Sequence, residues 1–296
     1  MSSKPTIGFI GLGLMGAAMC SRLLDQGYSL GFIVNRSRDA AEKLLARGAT
    51  EYATAAELAA ASDVVMLCVD TSVNVEARVL GPGGVIEGAK AGTTVIDFGT
   101  SLPGSTKKLG AALAQNGVAY LDSPIGRTPT HALEGKLNLM CSGDPAAFAA
   151  VKPVLEDLSE NLFHLGPLGT GHAIKLINNF YAQSAANAMA EAFVMADKLG
   201  IERQKIYDVM RAGPGGSGMM DMVKGYGIDG DPSQLAFSVA NACKDLGYYD
   251  QMASDVGVDS LMVKGALEAL KDACDQGRGD TMVGEQVDYF AQRYQG

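Results

Sequence analysis

The chain has 296 residues, 47% of them apolar, enough to bury one large or two medium cores. A net charge of −9 excludes the basic surface that nucleic acid or an anionic membrane requires, yet leaves room for a local pocket that takes a small anion. Five scattered cysteines without a C-x-x-C pair, and three isolated histidines, predict neither a disulfide framework nor a metal site. The opening MSSKPTIG runs straight into an apolar stretch, so no signal peptide is expected. With no run of membrane-spanning length, a reduced cytoplasm is the expected compartment. Residues 7–10 read as a buried strand. Gly11, Gly13 and Gly16 follow at G-x-G-x-x-G spacing around Leu12, Leu14 and Met15, and a helical pattern runs on to Leu24. Strand, glycine turn and helix in that order form a dinucleotide fingerprint: Gly11 for the tight turn, Gly13 for close approach of a pyrophosphate, Gly16 for helix–strand packing. The helix N-terminus would then offer its unpaired N–H groups to the phosphates. The alternative is a plain βα turn.

Further strands are predicted over residues 30–34, 63–69, 93–98, 119–122 and 137–141, with helices over 38–47 and 55–60 among them. This alternation predicts an α/β domain with a parallel sheet, whose ligands lie beyond the carboxyl ends of the strands. Val69 and Asp70, closing the third strand, fall on that side. From about residue 171 the strand pattern stops. Helices are predicted over 173–199, 202–211, 236–256, 260–276 and 283–293, which divides the chain into a dinucleotide-binding domain, 1–165, and an all-helical domain, 166–296. The first of these helices is alanine-rich, which predicts packing on all sides, as in a homodimer or homotetramer core.

Three clusters carry chemistry. After the second strand stand Asn35, Arg36, Ser37 and Arg38, with no carboxylate for ribose hydroxyls. Arg36 and Ser37 suit a 2′-phosphate instead, so NADP(H) is favoured, with NAD(H) open if Arg36 only stacks on adenine. In DSPIGRTPTHALEG, residues 122–135, Gly126 frees the backbone while Arg127 and Thr128 supply donors for a carboxylate, phosphate or sulfonate. The alternative is a surface arginine capping a turn. In IKLINNF, Lys175, Asn178 and Asn179 share one helix face at i, i+3 and i+4. Ile174, Leu176, Ile177 and Phe180 around them predict a buried stripe. A desolvated lysine there becomes a usable proton donor and acceptor. The glycine-rich stretch 213–218 reads as a helix connection, and Lys244-Asp245 as a charged pair in an apolar helix.

Taken together, FIGLGLMGAAM, DSPIGRT, KLINN and KDLG resemble, in order and spacing over nearly the whole chain, the β-hydroxyacid dehydrogenase family, which includes 3-hydroxyisobutyrate dehydrogenase and tartronate semialdehyde reductase. The resemblance implies a Rossmann-type doubly wound sheet, an all-helical second domain, and reversible oxidation of a small hydroxy acid to an aldehyde or ketone. It implies Lys175 as general acid/base, Asn179 as a substrate-orienting residue, Lys244 near the nicotinamide, and Thr100, in IDFGTS, lining the nicotinamide site. Where the family's substrate loop reads close to D-x-P-V-S-G-G, this chain has Gly126, Arg127 and Thr128 in the last three positions. That G-R-T loop resembles the 3-sulfolactaldehyde reductase branch, in which the arginine meets a sulfonate. Ala182 departs from that branch, which has a serine seven residues after the lysine. A small anionic aldehyde or hydroxy acid is therefore the expected partner, with tartronate, methylmalonate or succinate semialdehyde, or 3-hydroxyisobutyrate, as alternatives to sulfolactaldehyde. A non-catalytic cofactor-binding protein and an imine reductase are the readings from other classes. The lysine argues against both.

Overall fold

The computed structural model describes residues 4–35 and 38–295. The chain folds as two compact units, Met1–Lys175 and Leu176–Gly296.

The first unit begins with β1 (Ile7–Ile10), α1 (Leu14–Asp25), β2 (Leu30–Ile33), α2 (Arg38–Leu45), β3 (Thr50–Glu51) and α3 (Ala55–Ala60). It continues with β4 (Val64–Leu67), α4 (Ser72–Leu80), α5 (Val85–Gly88), β5 (Thr94–Asp97), α6 (Pro103–Ala114) and β6 (Ala119–Asp122). The six strands form one parallel sheet in the order β3-β2-β1-β4-β5-β6. Its central strands are short uninterrupted apolar runs because both faces are covered. Side chains alternate between two cores: Phe9, Phe32, Met66, Ile96 and Leu121 enter one, and Ile10, Ile33, Val65, Leu67 and Val95 the other. Strand order reverses between β1 and β4, so the crevice of a doubly wound sheet opens at the carboxyl ends of those two strands.

The stretch 137–141 forms a strand, as expected, but not in this sheet. With β7 (Ile125–Gly126), α7 (Pro129–Glu134), β8 (Leu137–Cys141), α8 (Pro145–Leu158) and β9 (Ser159–His164), it belongs to a separate three-stranded sheet, in which β7 and β8 are antiparallel and β8 and β9 parallel. The sixth parallel strand is β3, whose two exposed residues carry no apolar signal. The division between units falls inside α9 (Thr170–Lys198).

The second unit is helical: the rest of α9, then α10 (Arg203–Ala212), α11 (Gly218–Gly227), α12 (Val239–Asp255), α13 (Leu261–Asp275) and α14 (Gln286–Arg293), with single 3₁₀ turns at Pro232–Leu235 and Val283–Glu285. Its core gathers Phe193, Val194, Leu246, Leu270 and Tyr289. The sequence pattern missed α11 because its start lies in the glycine-rich stretch. Ser217 caps it by accepting the Met220 N–H at 3.3 Å. In the single chain Tyr181 is 70% and Met195 54% exposed, so the rest of this chain does not cover the faces of α9 that carry them. Among the described residues, no helix is long and apolar enough to cross a membrane.

Candidate active site

Gly11 has φ +107°, a conformation that only glycine adopts cheaply, and a Cβ there would sit 2.2 Å from the Cys68 carbonyl oxygen. At Gly16 a Cβ would meet the Gly11 carbonyl oxygen at 1.9 Å, so α1 packs directly on the turn. Gly13, the N-cap, faces open space: a Cβ there would find nothing within 4 Å. Among the described residues no side chain caps α1, and no acidic residue sits in its first turn. Its leading N–H groups and positive dipole end are thus left for an anion, which fits a dinucleotide pyrophosphate. Gly11, Leu12, Gly13, Asn35, Cys68, Val69 and Asp70 line one cavity of about 310 Å³ at the strand-order reversal. Leu14, Met15, Gly16 and Thr100 do not line it. Asp70 accepts a hydrogen bond from Asn74 Nδ2 at 2.6 Å at the start of α4. Arg36 and Ser37 lie outside the described residues.

Thr100 follows β5 in a turn held by the buried Asp97, whose carboxylate accepts the Gly99 N–H and the Ser101 hydroxyl, both at 2.8 Å. Gly126 is half of the two-residue strand β7. Arg127 has φ +79°, the one non-glycine residue with positive φ among those described. Its Nη1 donates to the Lys136 carbonyl at 2.8 Å and pairs with Glu160. Among the described residues, neither its Nε nor its Nη2 makes a hydrogen bond. The Thr128 hydroxyl lies 2.7 Å from His131 Nδ1.

The Lys175 face is less uniformly buried than its apolar neighbours suggest. Lys175 is half-buried, Asn178 exposed and Asn179 buried, while Ile174 and Ile177 are 37% and 52% exposed. Hence the expectation of a fully buried stripe is corrected: the i, i+3, i+4 face spans a rim, with Asn179 inside. Asn179 donates through Nδ2 to Asp245 Oδ2 at 2.7 Å and accepts from Asn178 Nδ2 at 3.2 Å. The other Asp245 oxygen lies 3.1 Å from Lys244 Nζ, which also stands 5.6 Å from the Tyr248 ring centroid. So Lys244-Asp245, read as a charged pair, is the anchor of Asn179. Asp245→Ala leaves the Asn179 amide without its acceptor at a site where both residues are at least nine-tenths buried. A loss of about 1–3 kcal/mol is expected in denaturant unfolding. Unchanged stability would show that Asn179 does not depend on the carboxylate.

Residues 6–166 match the family described as the NAD binding domain of 6-phosphogluconate dehydrogenase. Residues 169–289 match the one described as NAD-binding of NADP-dependent 3-hydroxyisobutyrate dehydrogenase. The chain belongs to the β-hydroxyacid dehydrogenase family. This β-hydroxyacid dehydrogenase is 33% identical to 3-sulfolactaldehyde reductase of Escherichia coli, covering 92% of this chain and 91% of that one. It is 30% identical to the 2-hydroxy-3-oxopropionate reductase of the same organism, covering 86% of each. Among solved structures it resembles Mycobacterium tuberculosis 3-hydroxyisobutyrate dehydrogenase with L-serine, at 27% identity and a TM-score of 0.86, covering 97% of this chain and 99% of that one. It is therefore an NAD(P)-dependent oxidoreductase acting on a CH–OH group.

The sequence reading missed a set of fully buried polar residues in this dehydrogenase: Asp97, Asp122, Ser142 and His172, each 0% exposed. A signal was there to find. Asp97 and Asp122 close the apolar strands TVID and AYLD, where a carboxylate has no packing reason to stand.

Proposed function

We propose that the enzyme reduces a short aldehyde bearing a strongly acidic group, best fitted by 3-sulfolactaldehyde, with NADPH preferred over NADH. The observation that carries this reading is the Arg127 guanidinium. Both its present contacts use Nη1, which leaves the Nε–Nη2 edge as a two-donor fork. A sulfonate offers three acceptor oxygens and stays ionised throughout the working pH range. Glu160, half-exposed, is a weak competitor for the same cation. The likeness to the Escherichia coli 3-sulfolactaldehyde reductase supports the same choice. For the cofactor, the support is the lack of a carboxylate at residues 35–38 and the presence of Arg36 and Ser37.

In this reading the leading N–H groups of α1 and the Gly13 backbone hold the pyrophosphate, with Asn35, Arg36 and Ser37 toward the adenosine end and Val69, Asp70, Thr100 and Lys244 along the rest. Bound NAD(P)H supplies the hydride that the carbonyl carbon accepts. Arg127 and Thr128, with the backbone freed by Gly126, grip the acidic group, and Asn178 and Asn179 orient the substrate. Lys175, as the ammonium, stabilises the developing alkoxide and gives it a proton; in oxidation the amine takes the proton back. Residues 1–165 hold most of the cofactor and supply the Arg127 loop to the substrate, while 166–296 supply Lys175, Asn178 and Asn179 to the substrate, Lys244 to the cofactor, and the contacts of a homodimer or homotetramer.

The test is a panel of 3-sulfolactaldehyde, tartronate, methylmalonate and succinate semialdehydes and uncharged glyceraldehyde, each run with both cofactors and with Arg127→Gly beside the parent. For the parent, kcat/KM is expected to be highest with sulfolactaldehyde and NADPH. The variant should raise KM for the sulfonated aldehyde by about 10–100-fold, the worth of a charge-assisted pair, and change it little for uncharged glyceraldehyde. Glycine also relieves the positive φ, which offsets the lost ion pair, so the KM effect is not a folding effect. Equal effects on both substrates would remove the clamp role. A carboxylate semialdehyde at the head of the panel would replace the sulfonate reading.

A further inference from the structure

Helix α9 begins with its N–H groups already taken. Asp122, at the end of β6, accepts the Gly169 N–H at 2.8 Å through Oδ1 and the His172 N–H at 2.7 Å through Oδ2. The Ser142 hydroxyl donates to Asp122 Oδ1 and accepts the Gly171 N–H at 2.9 Å. Backbone bonds between Asp122 and Ser142 fix the two residues against each other. Side chains are seldom spent on three orphan donors at one helix start, and here both side chains are fully buried. The approach is also close: a Cβ at Gly171 would lie 2.1 Å from the Met140 carbonyl oxygen and 2.8 Å from Asp122 Oδ2. The His172 ring continues the network. Its Nδ1 lies 2.7 Å from the Thr106 hydroxyl, and its Nε2, without a hydrogen-bond partner among the described residues, lies 3.7 Å from Asp97 Oδ2. Asp97 is the residue that holds the Thr100 turn.

One buried network therefore joins the loop that starts at Asp122 and carries Arg127 to the turn that precedes Lys175 by three residues, and the His172 ring brings it within 3.7 Å of the aspartate that holds the Thr100 turn. We propose that Asp122 is a positioning residue for Lys175, fixing the first turn of α9, on which the turn bearing the lysine is built, and tying it to the substrate loop. This rests on the reading of Lys175 as the acid/base. The carboxylate suits the task because it is acceptor-only, and each group hydrogen-bonded to it is a donor. An asparagine of the same size turns one of those acceptors into an N–H facing another N–H.

The test compares Asp122→Asn, Ser142→Ala, Lys175→Ala and the Asp122→Asn/Lys175→Ala pair, with 3-sulfolactaldehyde and tartronate semialdehyde as substrates and NADPH as cofactor. Asp122→Asn should lower kcat about a hundredfold, the cost of misplacing a reacting group by about 1 Å, and change KM and the NADPH dissociation constant by less than about threefold. Amide hydrogen exchange should speed up across residues 169–172 while protection of the central strands is kept. Ser142→Ala, a milder change, should show the same pattern at about tenfold. In the Lys175→Ala background, Asp122→Asn should cost little more, because both act through one group. A folded Asp122→Asn with parental kcat, or losses that multiply in the double variant, would overturn the proposal. If Asp122→Asn does not fold, Ser142→Ala decides it by the same criteria. Parental turnover in Lys175→Ala alone would instead overturn the acid/base reading and is seen in that variant by itself.

Discussion

Replacing Lys175 with alanine is expected to lower turnover by about 10²–10⁴-fold while leaving NADPH binding intact. A positioned general acid contributes about 10²–10⁴-fold by itself. Loss of a cation beside the oxygen on which charge develops pushes the effect toward the upper end. Dinucleotide affinity survives because the turn after β1, the end of β2 and the end of β4, which line the 310 Å³ cavity, lie elsewhere in the chain. Lys175→Arg separates the two contributions. Arginine keeps the charge but does not release a proton near neutral pH, so a role in proton transfer predicts that this variant is also impaired. Steady-state rates with the substrate panel, and a fluorescence titration of NADPH, read both quantities. Parental rates in the alanine variant would remove the lysine from the chemistry.

The glycine turn gives the second large effect, and its value lies in a contrast. Gly16→Ala drives a methyl group to 1.9 Å from a backbone carbonyl oxygen, and backbone cannot rotate away as a side-chain tip does. The helix must move off the turn, with a stability loss of about 1–3 kcal/mol and disruption of the anion site. Gly13→Ala meets nothing within 4 Å and has an ordinary backbone conformation, with φ −70°. It should melt within a few degrees of the parent and still bind NADPH at least about tenfold more weakly, because its methyl stands where the phosphates approach. Thermal melts and dinucleotide titrations of the two variants decide the matter. Full affinity in Gly13→Ala would mean that the pyrophosphate does not rest on this turn.

Much of this was legible in the chain before folding. The glycine spacing, the apolar strands and the switch to helical periodicity near residue 171 are local signals, each written in consecutive residues. β3 escaped because two exposed residues have no periodicity, and β8 was read as one more strand of the large sheet because its apolar pattern does not say which neighbour it pairs with. Arg127 was recognisable as an arginine in the loop that the family resemblance marks for the substrate. Its positive φ and its contact with Glu160 were not, because Glu160 lies 33 positions further along. The buried aspartates escaped for the same reason: Asp122 takes its meaning from Ser142, Gly169 and His172, partners that only the fold brings to it. The rim character of the Lys175 face was also hidden, since Ile174 and Ile177 look like core residues in sequence and are exposed in space.

The brevity of β3 bears on how the folded chain behaves in crowded solution. Thr50 and Glu51 close that flank of the large sheet with two peptide units, both exposed, and Glu51 is held by Arg38 at 2.9 Å. A foreign strand arriving there finds a template too short to register and a carboxylate–guanidinium gatekeeper at its mouth, so fibril-like growth by edge addition has no purchase on this side of the protein.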